Sequence, residues 1–188
     1  MSQDLLQEMP ALWLTFKLAA VTTILLLLVS TPLAYWLAHT RVKYRSVVEA
    51  IVALPIVLPP TVLGFYFLII FNPDGFIGSA WQTLTNASLL FSFSALVIVS
   101  VFYSLPFVVQ PLQNTFSIIG KEPLEKAYTL GKTPANAFFN VLIPLSKRGY
   151  LTASVLGFAH TLGEFGIVLM VGGSIPNETR VVSIAIYE

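Results

Sequence analysis

Long apolar stretches alternate with short polar ones along this chain. Four of the apolar stretches, at about 11–38, 47–71, 87–109 and 150–171, are long enough to cross a bilayer. A spanning helix needs about 20 apolar residues. Helices satisfy their own backbone polar groups, so the pattern predicts an all-α integral membrane protein with four spans. Lys17 interrupts the first stretch near one end; it is read as a side chain whose ammonium snorkels to the headgroups.

The polar stretches give a direction. Arg41, Lys43 and Arg45 follow the first span, and Lys121, Lys126, Lys132, Lys147 and Arg148 lie between the third and fourth. The remaining loops hold Asp4, Glu8, Asp74 and Glu178, with Arg180 as their basic residue. The positive-inside rule then places both basic loops in the cytoplasm and the N-terminus outside. Composition agrees with a membrane protein. Of the 188 residues 56% are hydrophobic and only 10% charged, against roughly 25% charged in soluble domains, and the mean hydropathy is +0.81. A net charge of +1 suggests no nucleic-acid partner, and with no cysteine there is neither a disulfide framework nor a thiolate metal site. Residues 1–10 carry two acids and no basic region, unlike a cleaved signal peptide. With no repeat or linker in view, 1–188 reads as one domain.

The most informative polar stretch is 125–144, E-K-A-Y-T-L-G-K-T-P-A-N-A-F-F-N-V-L-I-P. Pro123 suits the first turn of a helix that runs to Leu130. Gly131 suits a left-handed terminator, and Thr133-Pro134 an N-cap followed by the first position of a second helix. That helix is expected to be short and to end at Pro144, with Ile143 extended before the proline. Phe138 and Phe139 would give the knob an apolar tip. Two readings fit: a surface for another protein, where aromatic anchors dominate interface energy, or an amphipathic helix in the headgroups. Gly131-Lys132-Thr133 is not a phosphate loop, because Lys126 stands where the upstream glycine belongs. Any ATP hydrolysis therefore belongs to another polypeptide.

Within the spans, breakers and polar residues stand out. Pro55, Pro59 and Pro60, with Thr61 and Gly64, predict a kinked second span, either a flexing pathway wall or a static bend. Pro106 and Pro111 flank Gln110 where the third span nears the inner face and would shape its exit. In the fourth span Gly157, Thr161 and Glu164 recur at helical spacing, as do Gly163 and Gly166. Small residues let helices approach closely, which suits an interface between two copies. Glu164 either lines a path or bonds a neighbouring helix, for example at Thr61 or Gln110. His160 carries the same two readings, with packing preferred. A bare carboxylate in the lumen would repel an anion, so Glu164 is not expected to be a substrate ligand.

The hairpin resembles the coupling loop of ABC-transporter permeases. In that loop Glu-Ala-Ala is followed by a Gly six positions and a Pro nineteen positions after the Glu. Glu125, Ala127, Gly131 and Pro144 fall at those spacings, and Lys126 departs from the pattern. Leu54-Pro55-Ile56-Val57-Leu58-Pro59-Pro60-Thr61-Val62-Leu63-Gly64 is similar to the second-span signature of molybdate permeases. So are Gly163-Glu164-Phe165-Gly166, the stretch from Gly172 to Arg180, and Ile184-Ala185-Ile186-Tyr187. Gly-Glu-Phe-Gly is shared with sulfate permeases.

The resemblance implies a multi-span ABC permease in a bacterial or archaeal cytoplasmic (inner) membrane. It would work as a homodimer that carries molybdate or tungstate inward. Its coupling helix (Glu125, Ala127, Gly131, Thr133, Pro134, Phe138, Phe139 and Pro144) would dock on two cytoplasmic ATPase subunits. ATP and Mg would sit there, with no cofactor on this chain. A periplasmic or extracellular oxyanion-binding protein would meet Asn177 and Arg180. Such permeases have one more span after the last loop, so the chain is expected to lack a final C-terminal span or to be naturally short. A sulfate-type permease is the nearest alternative. An intramembrane hydrolase using Ser154 and His160 fits less well, since six residues apart they leave one helical face and no oxyanion motif accompanies them. A channel or sensor would not need the hairpin.

Overall fold

The structure, a computed structural model, describes residues 2–187, with side chains described from residue 9 onward; Met1, Glu188 and the side chains of Asp4 and Glu8 lie outside it. Among the described residues every regular element is helical. α1 (Ser2–His39) and α5 (Phe93–Ile119) are long and apolar enough to cross a membrane unbroken. Two further apolar stretches form bent helix pairs. α2 (Arg45–Val57) and α3 (Pro60–Ile70) meet at 108°, while α9 (Lys147–Gly163) and α10 (Gly166–Gly172) meet at 61°. Counting each pair as one span gives the four that hydropathy predicts.

The second span is broken outright rather than kinked. Leu58 and Pro59 both hold extended ψ, 135° and 138°, because each precedes a proline. Neither Pro59 nor Pro60 can donate to the preceding turn, so the helix stops and restarts with Pro60 in its first position. Isolated prolines act differently: Pro106 and Pro111 sit inside α5, which continues to Ile119, ten residues beyond the expected end. The fourth span breaks without proline. Glu164 is extended (φ −64°, ψ 131°) and Phe165 takes φ −130°, ψ −64°. The expected continuous stripe of Gly157, Thr161 and Glu164 therefore ends at its last member.

α1 packs along both α5 and α9, and α10 packs on α3 and α5. Two apolar cores lie one beyond the other. One gathers Leu18, Leu63, Leu96, Val99, Ile167 and Ile184. The other, towards the hairpin, gathers Leu26, Leu37, Val108, Leu112, Phe116 and Leu142. Between them runs a buried polar layer of Thr22 and Thr23 on α1, Ser100 and Ser104 on α5, and Thr161 and Glu164 beside the α9 break. The small residues of α9 and α10 are spent within the chain. A Cβ on Gly157 would lie 2.6 Å from Val108, one on Gly166 3.2 Å from Pro60, and one on Gly64 2.7 Å from Met170. Gly163 alone of this set faces open space. The close approaches at Gly157 and Gly166, expected between copies, are thus contacts inside one chain, as is that of Gly64 in the second apolar stretch.

Two short helices were not evident in the hydropathy pattern. α4 (Phe76–Thr85) follows the second span, its start pressed on the Asn72 backbone at Gly78. α11 (Val182–Tyr187) returns to α1, with the Val182 N–H donating to Thr15 Oγ1 at 2.8 Å.

Candidate functional site

The hairpin is built from its caps. α6 (Glu122–Thr129) has proline in its first turn, and Gly131 follows at φ +77°. Gly131 N–H donates to Tyr128 O at 2.9 Å and Lys132 N–H to Ala127 O at 3.0 Å. That pair of bonds is a Schellman motif, and its left-handed residue is the glycine. Thr133 caps α7 (Pro134–Ala137) by accepting the Asn136 N–H at 3.3 Å. On α6, Lys126 pairs with Glu122 at 2.6 Å, and this hydrogen bond and charge hold the Glu122 carboxyl below its usual range.

Beyond Ala137 the sequence expectation fails. The helix widens into a π-turn over Phe138–Leu142 and runs through Pro144 as α8 (Ile143–Leu145). Ile143 is helical (φ −58°, ψ −48°), not extended. Pro144 has no N–H for the usual i−4 carbonyl, and a wide turn just before it is one way a helix absorbs that loss. The same turn separates the two aromatics. Phe138 is half-buried, edge-on to Tyr35 of α1 at 5.5 Å. Phe139 is 66% exposed and Leu130 80%. Phe139 lines an open groove against α1 with Leu28, Thr31 and Tyr35, so it and Leu130 are separate exposed apolar residues rather than one tip, while Phe138 joins Ala127 and Ala137 in fixing the hairpin to the body. Glu125, Gly131, Thr133, Pro134 and Pro144 are all exposed.

The second group of predicted residues gathers at the α9 break. Pro60, Thr61, His160, Gly163, Glu164 and Gly166 line one cavity of about 480 Å³, together with Tyr103. The other five lie elsewhere: Pro55 is buried in α2, Gly64 packs on α10, and Gly157 and Thr161 face the interior. Pro59 is exposed at the α2–α3 break. Glu164 is 4% exposed. Its carboxylate accepts hydroxyls from Ser100 at 2.5 Å and Ser104 at 2.7 Å, and its main-chain carbonyl accepts Ser183 Oγ at 2.6 Å. The neighbouring helix it bonds is α5, not α3 at Thr61 and not Gln110. Ser100 and Ser104 are the residues that sequence reasoning missed. Their one-turn spacing within an apolar run was the available signal.

His160 Nδ1 lies 2.9 Å from Ser104 Oγ, and its ring stacks on Phe107 at 3.9 Å and 25°. Nδ1 is 3.6 Å from Glu164 Oε1. This is not a hydrolytic relay. The Ser104 hydroxyl donates its hydrogen bond to Glu164 rather than to His160, and Ser154 donates to Tyr150 O at 2.7 Å, away from His160. Among the described residues no group of three or more His, Asp or Glu side chains could hold a metal ion.

The third group is at the opposite end from the hairpin. Thr179 ties the loop after α10, donating to Gly172 O at 2.6 Å and accepting Ile175 N–H at 3.1 Å. Asn177 stands at φ +64°, exposed. With Arg180, Pro176, Pro10 and Ala11 it lines a cavity of about 200 Å³. Lys17 does more than snorkel: its ammonium sits 4.6 Å over the Phe93 ring.

The family model described as binding-protein-dependent transport system inner membrane component matches residues 30–188. The chain is 55% identical over 181 residues to the molybdenum transport system permease protein ModB of Azotobacter vinelandii, covering 96% of this chain and 80% of that protein. It is 37% identical over 177 residues to a protein of the same name in Mycobacterium tuberculosis, covering 94% and 67%. Over 174 residues it is 31% identical to the protein named "Probable sulfate transport system permease protein cysT" of Zygnema circumcarinatum, covering 93% and 60%.

Proposed function

Because this chain belongs to the family of binding-protein-dependent transport system inner membrane components, we propose that it is the membrane-spanning subunit of an ATP-driven importer that carries molybdate inward. The 55% identity to a molybdenum transport permease over nearly the whole chain carries this reading. The sulfate-named relative is more distant. In this reading the chain performs no chemistry of its own. A binding protein delivers the oxyanion at the outer face, and a separate ATPase supplies the power, holding ATP and Mg.

The hairpin is the point of coupling. Its exposed residues, Glu125, Leu130, Gly131, Thr133, Pro134 and Phe139, dock on the ATPase. Phe138, Ala127 and Ala137 carry the movement into α1 and α5. Two copies of the chain face each other, with the N-terminus outside and the hairpin in the cytoplasm, an orientation that the basic loops favour. The α2–α3 and α9–α10 breaks are the joints: α3 and α10 pack together, so they move as one piece. Glu164 braces that joint through Ser100 and Ser104 and is not a substrate ligand. Asn177 and Arg180 meet the binding protein.

The test is uptake of radiolabelled molybdate by the complete transporter, with excess unlabelled sulfate or tungstate as competitor. Loss of uptake to sulfate as strong as the loss to tungstate would move the reading to a sulfate permease. Indifference to sulfate supports molybdate.

A further inference from the structure

A third cavity, of about 520 Å³, lies between α5 and α9 on the hairpin side of the His160 cluster. Its walls are two one-turn stripes: Gln110 and Asn114 on α5, Arg148 and Thr152 on α9. The helices touch at its floor, where a Cβ on Gly149 would fall 2.2 Å from Thr115 Oγ1. No acidic residue lines it. Thr152 and Thr115 spend their hydroxyl protons on Arg148 O and Pro111 O. The Arg148 guanidinium and the Gln110 and Asn114 amides make no hydrogen bond or ion pair among the described residues. All three are exposed on the isolated chain.

Such groups are costly against lipid and face protein or water in membrane proteins. Arg148 and Lys147 also occupy the first turn of α9, with no acid there to balance them. A helix N-terminus disfavours cations, so the charges gain nothing from their own helix. The cavity concentrates positive potential and unspent donors in one place. Phe107 lines its membrane side and stacks on His160, which lines the Glu164 cavity beyond. The two cavities are thus successive compartments of one α5–α9 groove, parted by an aromatic stack.

We infer that the Arg148 cavity is a binding station for a tetrahedral oxyanion in transit, on the hairpin side of the Phe107–His160 partition. The station rests on the permease reading above. A guanidinium with two amides suits a tetrahedral dianion, since Arg matches oxyanion geometry with paired N–H donors. A lipid phosphate has the same chemistry, and the experiment separates the two.

The test uses the chain assembled with its ATPase subunits, without nucleotide or binding protein. Equilibrium binding of radiolabelled molybdate is measured for the parent, Arg148→Gln, Asn114→Asp and Lys147→Gln. Arg148→Gln is expected to weaken binding about tenfold or more, as loss of a charge-assisted contact does. Asn114→Asp, which adds a negative charge without removing Arg148, is expected to weaken it similarly. Lys147→Gln, outside the cavity lining, is expected to change it less than threefold. Equal effects of Lys147→Gln and Arg148→Gln would overturn the station in favour of diffuse surface charge. Unchanged binding in Arg148→Gln and Asn114→Asp would overturn it while leaving molybdate transport standing. So would an Arg148→Gln complex that loses co-purified anionic lipid, measured by mass spectrometry, but no molybdate. If the parent binds sulfate in place of molybdate and Arg148→Gln abolishes it, the station holds and the substrate reading fails.

Discussion

Glu164 shows how much one side chain decides. At 4% exposure, a carboxylate is tolerable only with donors around it, and Ser100 and Ser104 supply them from the facing helix. Glu164→Gln would turn one acceptor into a donor and leave a serine hydroxyl without its acceptor. The expected cost is about 1–3 kcal/mol for a buried unsatisfied group, read as a lower melting temperature of the solubilised transporter. The molybdate-to-sulfate preference should not change. A switched preference would make Glu164 a selectivity element instead. The sequence showed that Glu164 needed a partner but not which one. Gln110 is on the right helix, α5, but more than a turn beyond Ser104, while Thr61 lies across the cavity on α3. A break made by extended backbone at Glu164, with no proline to announce it, leaves little trace in a hydropathy pattern.

Among the elements, the hairpin was legible where its signals are local. Pro123, Gly131, Thr133 and Pro134 each do what their backbone chemistry requires. Pro144 was misread because proline ends a helix only if the preceding turn cannot widen, and the π-turn widens it. From sequence alone Phe138 and Phe139 were equivalent; the structure separates them by burial. Phe139→Ala should cut ATPase co-purification while changing stability by less than about 0.5 kcal/mol, as surface substitutions do. Phe138→Ala, which opens space against Tyr35, should destabilise by about 2–3 kcal/mol, below the full value for a buried Phe. Equal loss of ATPase from both variants at unchanged melting temperature would refute that division. Gly131→Pro forces φ near −65° where the chain needs +77° and deletes the bond to Tyr128 O. It is expected to insert normally yet lose the ATPase on purification; intact co-purification would count against the hairpin as coupling element.

For the molecule as a whole, the all-helical membrane class and the places of the apolar helices were readable from hydropathy, because crossing hydrocarbon constrains length and polarity strongly. The joints were less so. Paired prolines announced the α2–α3 break, but nothing local gives its 108° angle, which depends on what α3 packs against. The lack of cysteine makes orientation easy to test. A Lys132→Cys variant should react with a membrane-impermeant thiol reagent only in inverted vesicles. Reaction in intact cells would reverse the topology. The most direct test of the central claim, that a separate motor drives this chain, is uptake into proteoliposomes. Vesicles holding the chain with its ATPase, supplied with ATP and binding protein, should accumulate molybdate; vesicles holding the chain alone should not. Equal accumulation in both would contradict the account.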